Sequence, residues 1–509
     1  DDTWKITPKL TLSLGLRYEL TPPFVDQLNN LFSIVIPHIY NVSNAPASQQ
    51  PYFIRQGNCS NPYTANPPLS FIWAVTPAVC SNGQEDSALQ KVRYNDFAPR
   101  VGIAYSPDSK TVIRVAWGRF FVQDNGNSMY FDMARNVGVR LTLTSNLGQP
   151  SLTWANAVTP PGANGQPTAF PAPYGYVASY DHFTGYADQY LANVQRQIGS
   201  NWTLEVGYLG SESHHLYGFQ NANMGVPGTV GSAISRLPWV DFGVIQLVAD
   251  GVNANYNSLA FKITKSFSHG MSLISSYTYS KSIDDSSGIR VQGYDTLFPQ
   301  NSYCIECDRG LSAFNVPQRW VSSVLYELPI GRGKPLNITN PALNAIIGGW
   351  QTGGTMTLQS GVPVNLTIGG VDNSSTDEGY DRPYYVSGSV NAASQTTGDW
   401  YNRAAFVEAP PGQFGNVGRN TATAPGIFAL DAELHKAWQM PFNEHHQLTL
   451  RFEAFNVLNH PDWGEPNPNV LAGAALPGQP STAARSGFGV ISGTAVAMRQ
   501  LQLGLKYTF

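Results

Sequence analysis

The chain has 509 residues, among them 48 glycines and 36 prolines; only 13% of its residues are charged, and its formal net charge at pH 7 is −4. Nucleic-acid-binding proteins usually present a strongly basic face, so this composition argues against a nucleic-acid partner. No apolar run approaches the roughly 18 residues of a membrane-spanning helix, which excludes helical spans. Few charges and many turn-forming residues instead favour many β-strands joined by long loops.

Alternation of apolar and polar residues predicts about thirteen β-strands, because successive side chains of a strand point to opposite faces. Residues 10–20 are the first long example, with leucine or tyrosine at every even position. Most segments hold 11–16 residues, which is long for a soluble strand and sufficient to cross a bilayer at a tilt. In chain order the predicted strands are 1–6, 10–20, 96–107, 111–123, 185–199, 201–213, 256–270, 271–285, 319–331, 350–365, 428–441, 446–460 and 497–509.

The last predicted strand shows the clearest alternation. Its polar positions are occupied by Gln, Gly, Lys and Thr. An amphipathic strand of a soluble sandwich would show the same pattern, so the recurrence along the whole chain distinguishes the two architectures. This recurrence favours an all-β, antiparallel transmembrane β-barrel whose apolar face contacts lipid. The apolar face of the last strand consists of Leu501, Leu503, Leu505, Tyr507 and Phe509.

Charged side chains in the middle of the polar faces predict a water-filled lumen. The candidates for lining this lumen are Arg17, Glu19, Glu205, Arg451 and Glu453. Arg451 and Glu453 belong to one strand and point the same way. They could contact a solute or a plug, or they could form an ion-pair ladder that holds the wall rigid. We favour the ladder because both charge signs recur on neighbouring strands.

Short links between the predicted strands alternate with long ones. Outer-membrane barrels have short periplasmic turns and long external loops, so every long link is external if Phe509 ends in the periplasm. The link 332–349 has an intermediate length and falls where a short link is expected. The long links are 21–95, 124–184, 214–255, 286–318, 366–427 and 461–496.

The four cysteines lie in two predicted loops. Cys59 and Cys80 share one loop, and Cys304 and Cys307 form a CxxC motif in another. A CxxC motif can be redox-active or half of a zinc site, but neither a βαβ pattern nor a second CxxC accompanies it. Disulfides within external loops are the favoured interpretation, because the exterior is oxidising. The three possible pairings stay open.

Two histidine pairs and two acidic runs offer metal-ligand chemistry. Adjacent residues of a strand point in opposite directions, so neither 214–215 nor 445–446 is expected to chelate one ion. The run 372–381 has enough oxygen ligands for calcium but lacks the spacing of an EF-hand loop, and 284–288 is a weaker candidate. We therefore predict neither a metal nor a cofactor.

Enzyme activity is not expected either, because no GxSxG, P-loop, HExxH or dinucleotide-binding motif occurs in the sequence. External aromatic residues could stack on sugars or peptides, although packing within the loops is at least as good an explanation. These aromatic residues are Trp154, Tyr174, Tyr176, Trp239 and Trp400.

Ten short motifs, spread in order over essentially the whole chain, carry a family resemblance. The chain resembles the C-terminal barrel of TonB-dependent transporters, specifically the Oar-like receptors with a carboxypeptidase-regulatory-like domain that are abundant in Acidobacteria. Each motif is weak alone, and the ordered set is fairly specific. The motifs lie at 2–12, 15–19, 97–102, 279–285, 326–331, 348–350, 360–363, 418–420, 451–460 and 504–509.

The resemblance implies a barrel of 22 strands with an N-terminal plug that TonB opens, of which residues 1–509 would supply the last 13 strands. The plug, the TonB-contacting segment and the first strands would then be missing from this chain. Phe509 would lie where the barrel-assembly machinery recognises its clients. We expect an outer-membrane receptor for a large solute, such as an oligosaccharide or a peptide. The alternatives are a surface-display or adhesive barrel, and a secreted sugar-binding β-domain.

Overall fold

The structure is a computed structural model that describes residues 2–24, 32–36, 46, 51–55, 79–80, 89–122, 175–240, 242–288, 298–440 and 442–509. Its dominant element is an antiparallel sheet in which thirteen strands pair with their neighbours in chain order, which confirms the predicted architecture. These strands are β1 (Asp2–Thr7), β2 (Leu10–Tyr18), β3 (Phe97–Asp108), β4 (Thr111–Phe121), β5 (Tyr186–Ile198), β6 (Trp202–Asn221), β7 (Ile245–Ser268), β8 (Met271–Asp284), β9 (Gln318–Glu327), β10 (Trp350–Gln359), β11 (Ile427–Met440), β12 (Asn443–Phe455) and β13 (Gln500–Thr508).

The links between these strands contain short helices and short strands. Within the described residues an α-helix, α1 (Pro341–Ile347), lies between β9 and β10. None of the helices in the described part of the chain is long and apolar enough to cross a membrane. The short 3₁₀ helices are Ile234–Arg236, Ile305–Asp308 and Arg403–Ala405, and the short strands are Phe32–Val35, Tyr52–Arg55, Val79–Cys80, Gly175–Ala178, Gly310–Leu311, Pro363–Val364, Tyr384–Tyr385, Asn391–Thr396, Asp399–Tyr401, Phe406–Val407 and Ala422–Thr423.

The pairing register gives the sheet two different faces. Residues directly opposite one another on neighbouring strands share a face, and Leu12 pairs with Ile103 just as Leu450 pairs with Leu505. Residues between these positions, such as Arg451, lie on the other face. We call the two sides the apolar face, which contains Leu12 and Leu450, and the polar face, which contains Arg451. Both faces extend from β1 to β13, as the alternation predicts.

The links at one end of the sheet are short. They hold two or three residues each, except for the link 328–349, which carries α1. The two-residue link His269-Gly270 has φ values of 50° and 74°. Positive φ at both central residues is the geometry of a type I′ turn, whose twist matches that of the strands it joins. Every long link lies at the opposite end of the sheet, so the predicted alternation of link lengths holds.

The hairpin of β6 and β7 is longer than its alternation predicts. Prediction placed these strands at 201–213 and 256–270, yet pairing continues to Asn221 and begins at Ile245. The register shifts on either side of Leu216, which interrupts the period of two without ending the ladder. The other predicted strands differ from the structure mainly by a few residues at their ends.

The buried apolar core lies in the long links rather than in the sheet. Val364, Leu366, Tyr401, Phe406 and Phe488 are all almost completely buried in one cluster. Smaller clusters form around Phe298 and Trp239 where other links meet the β6–β7 hairpin. Apolar side chains of the sheet, by contrast, are mostly exposed on the apolar face. Among the described residues β1 and β13 pair only with β2 and β12, so the sheet has two open edges.

Candidate functional site

The polar face carries the charged residues predicted to line a lumen, and the structure divides them into three groups. In the first group, Arg17 Nε lies 3.1 Å from Glu19 Oε1, and the side chain of Glu19 is only 8% exposed. Arg17 is on the polar face opposite Ala98, and Glu19 follows the end of β2. The pair therefore lies at the edge of the polar face, where the chain leaves β2.

Glu205 belongs to the second group, in the centre of the sheet. Asn193 Nδ2 donates a hydrogen bond of 2.8 Å to Glu205 Oε1. Arg114 NH1 on β4 donates a hydrogen bond of 3.0 Å to Gln195 Oε1 on β5. The register places Lys262 directly opposite Glu205. Hydrogen bonds therefore connect polar side chains of β4, β5 and β6, and Lys262 of β7 lies on the same face.

Arg451 and Glu453 form the third group, together with residues of β11. Arg451 NH1 lies 3.4 Å from Glu453 Oε1, and Arg451 Nε lies 3.9 Å from Glu433 Oε2. His435 lies 3.4 Å from Glu433 and 3.0 Å from Gln351 on β10. These contacts join three strands in a ladder, while the Arg451 side chain keeps half of its surface exposed. The ladder both stiffens the wall and leaves a cation accessible on the polar face.

Sequence reasoning missed a recess on the polar face of β2, β3 and β4. Its volume is about 490 Å³. The register places Arg100 between Gly15 and Gly118, so the residues directly opposite it on both neighbouring strands have no side chain. A Cβ at Gly118 would lie 3.1 Å from Arg100 Cγ. The Arg100 guanidinium lies 4.7 Å from the ring centre of Phe120, a cation–π distance. Glycines at polar-face positions were the only sequence signal of this recess.

The long links pack into one body, which we call the loop assembly: the described residues between β6 and β7, β8 and β9, β10 and β11, and β12 and β13. Its polar centre is the ion pair between Arg419 and Asp284, both with 2% side-chain exposure. Arg419 Nε also donates to Asp308 O at 2.8 Å. Arg382 NH2 donates to Asp308 Oδ1 at the same distance. Two motifs that the sequence identified only by resemblance, 279–285 and 418–420, are therefore in direct contact.

The acidic run 372–381 is organised by its own backbone. Asp372 accepts hydrogen bonds from Thr376 N and Asp377 N, each of 2.8 Å, and Asp381 accepts one of 2.6 Å from Ser374 N. Burial raises the pKa of Asp381 to about 6. No group of three or more potential metal ligands occurs among the described residues. These carboxylates accept hydrogen bonds from the backbone of their own segment and stabilise its turn.

The histidine pairs also serve separate partners. His214 Nδ1 lies 3.0 Å from Asn253 Oδ1, whereas the His215 ring stacks on Phe183 with ring centres 4.7 Å apart. His446 Nδ1 lies 2.7 Å from the hydroxyl of Tyr507. His214 and His215 therefore contact different partners.

The candidate cysteines and external aromatic residues divide between described and undescribed parts of the chain. Cys304 and Cys307 form a disulfide, whereas Cys59 and the side chain of Cys80 lie outside the described residues, as do Trp154 and Tyr174. Trp239 is completely buried. Trp400 packs against the large loop cluster and donates to Thr423 O at 2.9 Å. Loop packing therefore accounts for these two tryptophans.

The sequence profile of a family described as "Outer membrane beta barrel domain" matches residues 1–502. The chain belongs to this family. Membership confirms the predicted location in the bacterial outer membrane and places the apolar face of the barrel wall against lipid. Aromatic side chains mark the apolar face beside the short links, as expected for the girdle at a membrane interface. The girdle residues are Trp202, Tyr326, Trp350, Trp438 and Tyr507.

The solved structures to which the chain is similar include outer-membrane proteins of Escherichia coli and Pseudomonas aeruginosa. The outer membrane transporter YddB from Escherichia coli has 12% identity and a TM-score of 0.42, with 82% of this chain and 41% of that chain covered. The ferripyoverdine receptor of Pseudomonas aeruginosa has 8% identity and a TM-score of 0.38, with 90% and 34% covered. The ferric-catecholate import receptor Fiu from E. coli K12 has 8% identity and a TM-score of 0.39, with 99% and 43% covered. The chain thus spans less than half the length of these proteins. No curated protein matches the chain.

Proposed function

We propose that the chain forms part of the wall of an outer-membrane transporter that takes up a large solute, such as an oligosaccharide or a peptide. The observation that carries the proposal is the polar face, which extends across thirteen strands and bears accessible charge at Arg451 and an open recess at Arg100. A wall of this kind suits an aqueous path, because many weak polar contacts can guide a large solute without a single tight site.

Energy for uptake would come through TonB, and a plug would gate the lumen; both inferences rest on the family resemblance of the sequence motifs. The plug and further strands would be supplied by sequence outside these 509 residues. The open edges at β1 and β13 are compatible with additional strands.

We also propose that the wall itself is not catalytic. Glycoside hydrolysis, the chemistry for which paired carboxylates are the usual sign, needs one acid that titrates freely and one nucleophile or base. Glu205 is instead held by Asn193, and Glu453 by Arg451. Wall carboxylates engaged in this way line a surface rather than form a catalytic pair.

The test compares a strain lacking the gene with the same strain carrying the gene on a plasmid. Uptake of fluorescent oligosaccharides and peptides of graded size is measured with and without a protonophore. The proposal predicts that deletion abolishes uptake of at least one class, and that the protonophore does the same in the complemented strain.

A surface-display barrel is the second candidate, and the buried apolar core of the loop assembly favours it. That reading predicts unchanged uptake of every solute and reduced attachment of cells to surfaces after deletion. Unchanged uptake across the panel would overturn the transport proposal.

A further inference from the structure

Helix α1 is attached to the outside of the barrel wall. Asn340 precedes the helix as its N-cap, and its side chain accepts hydrogen bonds from Ala342 N and Leu343 N at 3.0 and 3.1 Å. This N-cap satisfies backbone donors that the first turn of a helix leaves free. The helix ends at Gly348, and Gly349 with φ 73° turns the chain into β10.

Three side chains of the apolar face hold the C-terminal carbonyls of α1. Trp350 Nε1 donates to Ile346 O at 2.9 Å, and Trp438 Nε1 donates to Ala345 O at 2.7 Å. Lys436 Nζ donates to Asn344 O at 3.2 Å and also to Gly348 O. The last carbonyls of a helix have no hydrogen-bond donors within the helix and carry partial negative charge. Here one ammonium and two indole N–H groups supply these donors.

The register shows that these anchors point towards lipid. Trp350 pairs with Lys436, and Trp438 pairs with Leu448, which lies on the apolar face beside Leu450. Lys436 is thus a charged residue on the lipid-facing side of the wall, where an unpaired charge is costly. Its burial among the α1 carbonyls, at 3% exposure, explains how this position tolerates a lysine.

The remaining surface of α1 is apolar and uncovered by the described residues. Leu343, Ile346 and Ile347 follow a spacing of three and four, so they share one face of the helix. Their exposures are 47%, 66% and 43%. The patch is continuous with the apolar face of β11 and β12, which contacts lipid.

We propose that α1 contacts lipid. Its residues Leu343, Ile346 and Ile347 insert into the periplasmic leaflet of the outer membrane, at the level of Trp350 and Trp438. Short links face the periplasm in outer-membrane barrels, which places α1 at that leaflet. A second copy of the chain is a poor occupant, because a helix of seven residues is only about 10 Å long. Stable protein interfaces need roughly 800 Å² from each partner, far more than three side chains supply.

The test uses the full-length protein in liposomes of phosphatidylethanolamine and phosphatidylglycerol, with Cys59 and Cys80 replaced by serine. A nitroxide is attached to Ile346→Cys, and its collision rates with oxygen and with a water-soluble nickel chelate are compared. Leu503→Cys on the lipid-facing side and Val230→Cys in the loop assembly, where Val230 is 85% exposed, are the controls.

We expect the ratio of oxygen to nickel accessibility at residue 346 to exceed the Val230→Cys control severalfold and to lie below the Leu503→Cys control, because Leu503 is four residues deeper in the wall than Tyr507, which is level with Trp438. A ratio equal to that of Val230→Cys would place α1 in water and overturn the proposal. Exclusion of both reagents would show that protein covers the helix, which would overturn it as well.

A second variant tests the attachment. Lys436→Met removes the ammonium from the α1 carbonyls, so the ratio at residue 346 should fall towards the aqueous value. Lys506→Met, a change on the polar face, should leave the ratio unchanged. An unchanged ratio in Lys436→Met would contradict the role assigned to Lys436.

Discussion

The buried ion pair between Arg419 and Asp284 is expected to hold the loop assembly together. Arg419→Met would leave the Asp284 carboxylate at 2% exposure without its cation. It would also remove the hydrogen bonds from Arg419 to Asp308 O and to Ser287 Oγ, of 2.8 and 3.0 Å. The hydroxyl of Ser287, 3.1 Å from Asp284 Oδ1, compensates only in part. Breaking a buried pair by removing one partner costs about 3–5 kcal/mol.

Hydrogen exchange measured by mass spectrometry reports this loss directly. Strand Gly310–Leu311 pairs with Ile283 and Asp284, so its amides should exchange faster by roughly 10²- to 10⁴-fold once the assembly opens more easily. Arg499→Met is the matched control, because Arg499 is exposed and donates only to Val457 O at 3.3 Å among the contacts resolved for its side chain.

A double variant, Arg419→Met with Asp284→Asn, removes both charges. Because the two residues are in contact, its effect should be clearly smaller than the sum of the single effects. Wild-type exchange rates in Arg419→Met, or additive effects in the double variant, would refute the reasoning.

Two further predictions concern the loop assembly and the lumen. Burial raises the pKa of Asp381 from 3.8 to about 6, so the folded loop binds a proton more tightly than the unfolded loop. The contribution of Asp381 to stability is therefore largest below pH 4 and falls by at most about 3 kcal/mol as the pH rises through 6. Proteolysis of segment 372–381 should be faster at pH 7.5 than at pH 4.5, and Asp381→Asn should flatten that difference; equal rates in the wild type would contradict it. In the recess, Gly118→Leu would place a side chain against Arg100. It should lower solute uptake without changing the amount of protein in the outer membrane. Unaltered uptake would show that the recess takes no part in transport.

The wall could be predicted from the sequence because the alternation of apolar and polar residues within each strand is enough to assign its two faces. Residues 10–20 alternate without help from any other segment, and the last strand repeats the pattern up to Phe509. The strand β6 extends past its predicted end because a bulge beside Leu216 breaks the period while the pairing continues. A search for strict alternation stops at the bulge, because a residue that the pairing skips shifts the following side chains to the other face.

The loop assembly and the recess could not be predicted, because both depend on contacts between distant segments. Asp284 and Arg419 are 135 positions apart, and nothing local marks either as a partner of the other. Gly15, Arg100 and Gly118 come together only through the register of β2, β3 and β4. The α1 carbonyls meet Lys436 for the same reason.

The most direct test of the two-faced wall is thiol labelling along β12. Single cysteines at residues 448–454, introduced one at a time into the full-length protein in outer-membrane vesicles, are exposed to a maleimide that cannot enter lipid. The account predicts labelling at the polar-face positions Thr449, Arg451 and Glu453, and protection at Leu448, Leu450, Phe452 and Ala454. Uniform labelling, or labelling of the opposite set, would contradict the assignment of one face to lipid and the other to the lumen.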